Sequence, residues 1–438
     1  MPTLGAAQVF DTTTTNAGAV AWVLAATALV LFMTPGVAFF YGGMVRAQHV
    51  LSMLMQNLVA MAIVSVVWVL VGFSLAFGQG NGIIGDLSFA GFGSLNLEVP
   101  GFTGSSAMII PPMLFALFQM MFAVITPALI TGATADRWRF ASFVVFVPLW
   151  LVLVYAPIAH WVFSPVGWAS SWGALDFAGG MVVHANAGAA GLAMAVVLGR
   201  RHGWPRVAMR PHNLPLTVLG AAVLWFGWFG FNAGSALRAD AIAVTAFVNT
   251  NTAAASALLA WSAVELVRFR RPTTLGAASG LVAGLVAITP CAGYVSPLAA
   301  LVIGLIAGFC CAGAVSLKLW FSVDDSLDVV GVHLVGGVVG CLCLGLFAST
   351  AVNPYGHDGL FYGGGYQLLG REAVAVVAVA VYSFAVTFAL GKLLDRVIGN
   401  RVTVAEERQG LDLALHGESG YDLGSGSDRR GVVHDARL

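Results

Sequence analysis

Charge is what this 438-residue chain has least of: 9% of its residues are Asp, Glu, Lys or Arg, against about 25% in a soluble domain. That scarcity excludes an ordinary water-facing globular protein. The 20 basic and 20 acidic residues cancel, so no nucleic-acid partner is suggested. The five cysteines (Cys291, Cys310, Cys311, Cys341, Cys343) fall in or beside apolar runs. None has metal-ligand spacing, so they read as small core residues, and neither a metal nor another cofactor is expected. The N-terminus, MPTLGAAQVFDTTTTNAGAV, has no basic region ahead of its apolar run and does not read as a cleaved signal peptide.

What the chain has is apolar length. Hydrophobic residues make up 59% of it, and runs of about 20, the length that spans a bilayer as a helix, recur throughout. Eleven are expected: 18–40, 51–77, 108–131, 141–162, 177–198, 214–232, 241–267, 275–294, 297–319, 331–351 and 373–394. The chain is therefore read as an all-α integral membrane protein in the lipid bilayer, with a transmembrane domain over 1–396 and a polar cytoplasmic tail over 397–438. With the N-terminus outside, eleven basic residues fall in inner loops (Arg46, Arg137, Arg139, Arg200, Arg201, Arg206, Arg210, Arg268, Arg270, Arg271, Lys318) and two outside (Arg238, Arg371). The positive-inside rule then selects N-out, C-in.

Two halves of the chain echo each other. Phe40-YGGMVRA-Gln48 resembles Phe231-NAGSALRA-Asp240 after one gap, at the first and sixth spans. Asp176-FAGGMVV-His184 resembles Asp325-SLDVVGV-His333, at the fifth and tenth. Five is odd, so the second copy is inverted: a 5+5 repeat plus one extra helix. Such repeats place a transporter's site at the midplane between halves. Each histidine follows its aspartate by eight residues, about 12 Å if helical, against about 15 Å for half the hydrocarbon core. Both histidines are then expected near the midplane, where an ionisable group is a functional candidate. The plainer reading is a pair of buried histidines bonded to backbone. Each aspartate is expected to cap its helix rather than to touch substrate.

No other ionisable side chain is evident at that depth; Glu265 reads as a local partner of Arg268. A path lined by aliphatic and aromatic residues and two imidazoles suits a small solute that crosses uncharged or sheds a proton on entry. Trp161, Phe163, Trp228 and Phe231 gather at outer span ends. They read as an interfacial belt or as a cation–π vestibule, with the Ser235 hydroxyl as an acceptor. The many intramembrane glycines read as close helix packing.

The blocks Pro35-GVAFFYGG, Asp176-FAGGMVVHANAG, Phe231-NAGSALRAD and Asp324-DSLDVVGVH, spread over nearly the whole chain, resemble the ammonium transporter family (Amt/Mep/Rh), its Amt branch in particular. The resemblance implies ammonium and methylammonium transport rather than an enzymatic activity. It implies a twin-histidine pore of His184 and His333, an outer gate of Phe122 and Phe231, and an ammonium site with Ser235, Phe122 and Phe163. Trp228 becomes a pore wall, and Asp176 supports the site without lining it. It also implies a homotrimer in the inner cell membrane, a PII-type signalling partner at the cytoplasmic face and a regulatory tail, Glu407-RQGLDLALHGESGYDL. One departure stands out: Phe163, three residues after His160, occupies a place where the family usually has Trp. Trp168 is then a candidate substitute. Two other functions compete: an ammonium sensor signalling through the tail, and an intramembrane metalloenzyme. The latter lacks a third ligand beside the histidines.

Overall fold

A computed structural model describes residues 9–102 and 107–421. The leader reading of residues 1–8, the end of the Gly-rich loop at 103–106 and the Gly/Ser end of the tail at 422–438 lie outside the described residues. Among the described residues there are helices, turns and two isolated bridges but no strand. Ten helices are long and apolar enough to cross a membrane. They are α1 (Ala17–Met44), α2 (Ala47–Phe77), α3 (Pro112–Thr134), α4 (Phe140–Trp172, interrupted at 164–167), α5 (Gly180–Leu198), α6 (Leu214–Gly234), α7 (Ala241–Phe269), α9 (Pro297–Trp320), α10 (Val330–Phe347) and α11 (Gln367–Val397). Between α7 and α9 lies the shorter α8, Thr274–Ile288. The expected run 275–294 is thus helical only in its first part. It breaks where Pro290, which lacks an N–H, enters a series of turns.

Helix starts follow side-chain chemistry. Asn16, Asn213, Asp240, Thr273 and Ser296 each accept a hydrogen bond from the first turn of the helix they precede, filling donors that have no intrahelical partner. Glu265 belongs to this set and not to an ion pair with Arg268: its carboxylate accepts from the Thr273 N–H (2.7 Å) and hydroxyl (2.9 Å). It ties the end of α7 to the start of α8.

The first and sixth spans, α1 and α6, pack along their lengths. Glycines allow it: a Cβ on Gly36 would lie 2.9 Å from Val223, and one on Gly220 would strike the Phe40 backbone. The two helices that carry the histidines, α5 and α10, share one construction. α5 opens on a π-helical turn, Gly180–Ala185, and α10 on another, Val330–Leu334; each then runs α-helically for 13 residues. Gly188 lies four residues after His184, and Gly337 four after His333. A Cβ on Gly188 would collide with the Leu334 backbone, and one on Gly337 would lie 2.8 Å from the Gly180 carbonyl and 2.9 Å from the Ala185 nitrogen. Each glycine therefore lets the other half's histidine turn cross closely.

The eight-residue Asp-to-His spacing is not 12 Å of helix, as expected above. Residues 176–179 are non-helical, with Gly179 at φ +112°, and helix begins at Gly180. The aspartate folds over its own helix start instead. Cys310 also departs from expectation: it is exposed on α9, while the other four cysteines are buried.

The basic ends of the helices are locked by a buried polar cluster that composition did not reveal. The Arg137 guanidinium donates to the carbonyls of Ala133 (3.1 Å), Asp324 (2.6 Å) and Gly199 (2.8 Å) and to the Ser326 hydroxyl (2.5 Å). Arg201 pairs with Asp324 at 2.8 Å and with Asp136 at 3.4 Å. Burial pushes both carboxyls up, but their neighbours outweigh it and hold both below the usual carboxylate range: Arg201 for Asp324, and His49 when protonated, Arg201 and Arg46 for Asp136. Residues after α11 cover this end. Asp412 accepts from the N–H groups of Leu51 (3.0 Å) and Ser52 (2.8 Å) in α2. Glu407 accepts from the His202 N–H (2.7 Å) and pairs with Arg401 (3.0 Å). The Tyr421 hydroxyl lies 2.9 Å from His212 Nε2.

Candidate functional site

One face of α3 orders the site. Phe115, Gln119 and Phe122 line a cavity of about 230 Å³ at the end of the bundle opposite the basic loops. Further along, Ile125 and Leu129 line a second, narrow void of about 10 Å³, room for about one water-sized molecule. Spacings of three and four residues put these side chains on a single stripe.

The first cavity brings together Phe122, Phe163, Ser235, Asp176, Phe177, Gln119 and Tyr294. The Ser235 hydroxyl donates to the Phe231 carbonyl at 2.8 Å. Its hydrogen is thereby used, and its oxygen remains an acceptor for a cation's N–H. The rings of Phe122 and Phe163 stand edge to face, 6.2 Å apart at 87°. Trp168 does not border this cavity. Its N–H donates to the Gly82 carbonyl, and its ring packs on Trp161 (5.9 Å) and Trp172 (6.4 Å). Of the two, only Phe163 borders the cavity. Trp161, Trp228 and Phe231 are buried, so these three do not form an interfacial belt.

Asp176 does cap its helix. Its carboxylate accepts from the N–H groups of Gly179, Gly180, Met181 and Val182 at 2.7–3.2 Å. It is half-buried and borders the cavity. Asp325 repeats the capping on α10 through Val329 (3.1 Å) and Val330 (2.8 Å).

Between cavity and void stand Phe122 and Phe231, with ring centroids 4.4 Å apart and planes inclined by 40°. Behind them lies His184, stacked on Trp228 (5.3 Å), Phe231 (5.9 Å) and His333 (5.4 Å). The two Nδ1 atoms are 3.3 Å apart. At that distance one Nδ1 can donate to the other, which requires one to carry a proton and the other not. Trp228 is fixed by its indole N–H donating to the Thr289 hydroxyl at 2.9 Å. His184 and His333 border the narrow void together with Phe40, Tyr41, Ile125, Leu129 and Trp228. Of the expected site residues, Phe122, Phe163, Ser235 and Asp176 border the cavity and Trp228, His184 and His333 border the void; Phe231 stands against both Phe122 and His184.

Sequence reading overlooked three participants. Gln119 is a lone carboxamide within an otherwise apolar run, a visible but unweighted signal. Tyr294 enters the cavity from the turn that ends α8. Glu372, fully buried near the start of α11, accepts from the Leu175 N–H at 2.7 Å and so holds the segment before Asp176. Its carboxylate sits just before the apolar run expected from residue 373, where it looked like a boundary charge.

The model of the Ammonium Transporter Family matches residues 21–421. An ammonium transporter of Bacillus subtilis is 50% identical over 394 residues, covering 90% of this chain and 96% of its own. The crystal structure of Saccharomyces cerevisiae Mep2 is similar with a TM-score of 0.83 at 36% identity, over 90% of this chain and 92% of that one. A structure titled Sensor Amt Protein is similar with a TM-score of 0.81 at 33% identity, over 91% and 98%. The family is one of transporters and not of enzymes, and the Bacillus subtilis relative is named an ammonium transporter. With its ten apolar helices and a family match over almost its whole length, this chain is a multi-pass membrane protein and belongs to the ammonium transporter family.

Proposed function

We propose that the chain carries ammonium and methylammonium across the inner cell membrane through the track of cavity, aromatic pair and histidine pair. NH4⁺ is recruited in the first cavity by the Ser235 oxygen and the faces of Phe122 and Phe163. It gives up a proton on passing Phe122 and Phe231, because a void of water size with apolar walls offers an ion too few partners. NH3 then moves past Trp228 to His184 and His333, whose Nδ1 contact provides a path for a separated proton. The observation that carries this reading is the order of these groups along one helix face, Gln119 and Phe122 facing the cavity and Ile125 and Leu129 the histidines.

In this reading α8 completes an eleven-helix, inverted 5+5 architecture with one extra helix, N-out and C-in. The matched construction of α5 and α10 and the packing of α1 on α6 support it. Residues 1–396 form the transport domain and 397–438 the cytoplasmic regulatory tail. The assembly is a homotrimer with one pore per subunit, and the basic face with its docked tail receives a PII-type protein.

The test is ammonium-triggered current from proteoliposomes holding wild type or His184→Ala with His333→Ala. A wild-type current lost in the double variant supports electrogenic transport through the histidines. Internal alkalinisation without current makes the protein an NH3 channel. Absence of both signals sinks the transport reading. It then favours a sensor that signals through its tail, the alternative to which likeness to the sensor Amt protein and the tail's contacts with α2 point.

A further inference from the structure

Beside the first cavity lies a buried acceptor with nothing to accept from. Gln119 is 9% exposed and lines the cavity, and its Oε1 is buried with no hydrogen-bond partner among the described residues. A buried carbonyl left without a donor is costly, so such groups are filled by protein, water or ligand. Gln119 precedes Phe122 by three residues on α3 and shares its face.

The other polar groups around the cavity are more heavily committed. Both carboxylate oxygens of Asp176 accept backbone N–H groups, and the Ser235 hydroxyl spends its hydrogen on Phe231. The two rings at the candidate cation position, Phe122 and Phe163, are phenylalanines, which attract a cation less strongly than Trp. A cation with four N–H donors needs oxygen acceptors on more than one side.

We propose that Gln119 is a substrate-binding residue whose Oε1 accepts a hydrogen bond from the ammonium ion held between Ser235 and the phenylalanine faces. It sets the affinity of recruitment and plays no part in conduction past the histidines. Rotation of the carboxamide presents this buried oxygen to the ion, whose charge strengthens the bond. This inference rests on the transport reading above.

The test is half-saturating ammonium concentration and maximal flux in proteoliposomes of the full chain, for wild type, Gln119→Met and Gln119→Glu. Methionine keeps the length and removes the acceptor; glutamate keeps an acceptor and adds charge. Losing a charge-assisted hydrogen bond is expected to raise the half-saturating concentration roughly 10-fold in Gln119→Met, with maximal flux held within about twofold of wild type. Gln119→Glu is expected to saturate at or below the wild-type concentration. Should Gln119→Met not yield folded protein, Gln119→Glu decides alone, and a higher half-saturating concentration in it overturns the proposal. An unchanged half-saturation in Gln119→Met, or a loss confined to maximal flux, overturns it as well. Absence of any ammonium-dependent flux in wild type would instead defeat the transport reading itself.

Discussion

His184 and His333, 149 positions apart in sequence, face each other through their Nδ1 atoms at 3.3 Å. Two features enforce this. Each histidine sits in a π-helical turn whose start is capped by an aspartate, Asp176 or Asp325. Each turn is crossed by a glycine of the other half, Gly337 or Gly188.

Replacing either histidine by alanine removes one end of the shared hydrogen bond. Ammonium-dependent current is expected to fall by roughly 10²-fold, the scale of losing a positioned proton-transfer group. Currents recorded on supported membranes, normalised to protein content, check this. A single variant with wild-type current would show that the imidazole pair carries no proton.

Gly337→Ala places a methyl group 2.8 Å from the Gly180 carbonyl. Overpacking of this kind costs about 1–3 kcal/mol, and here it also pushes the histidine turns apart. The expected result is a lower midpoint of thermal unfolding in detergent together with reduced flux. Gly370→Ala is the control, because nothing lies within 4 Å of a Cβ there; equal behaviour of the two variants would refute the close-approach argument.

Asp176→Ala strips four N–H groups of their acceptor, and loss of an N-cap costs about 1–2 kcal/mol. Flux is expected to collapse, since the same change frees the turn bearing His184. Asp176→Asn keeps one acceptor oxygen and should recover part of the stability. Unfolding midpoints and uptake measured side by side test the pair, and a stable, inactive Asp176→Ala would move the residue from scaffold to substrate contact.

The tail should come loose in Asp412→Ala, which removes the acceptor for Leu51 and Ser52. Faster protease cleavage between residues 398 and 421 is the expected readout. Unchanged protection would mean that Glu407 and Tyr421 hold the tail without it.

Acid should unlock the basic end. Asp136 and Asp324 have folded pKa values below their unfolded ones. The stability they contribute is therefore present above the unfolded value, about 3.9, and is lost as pH falls through the folded values. Stability that is flat from pH 7 to about 5 and declines below about 4 is expected. Asp324→Asn should flatten that decline, and an undiminished slope in it would remove Asp324 from the account.

Apolar run length and the scarcity of charge made the membrane-spanning helices readable in order, because a helix crossing hydrocarbon needs its length and composition locally. The Asp–His echo and the Phe-Asn-Ala-Gly-Ser block likewise marked His184, His333, Phe231 and Ser235 as members of one site. Run length alone misjudged 275–294, where Pro290 stops the helix early. It also misread the Asp176–His184 spacing, since a carboxylate bending back to cap four N–H groups leaves residues 176–179 outside the helix.

What only the tertiary structure decided are meetings between distant segments. The sequence offered Phe163, with Trp168 as a candidate substitute; packing put Phe163 beside Phe122 and turned Trp168 onto Trp161. Glu372 looked like a boundary charge until Leu175 was found donating to it, and Glu265 like a partner of Arg268 until the start of α8 claimed it. Hydrophobic periodicity is written along a single helix, so the sequence determined the spans and the candidate residues. Hydrogen-bond partners and ring contacts depend on which faces of different helices touch, and the packing of α1 on α6 and of α5 on α10 settled those.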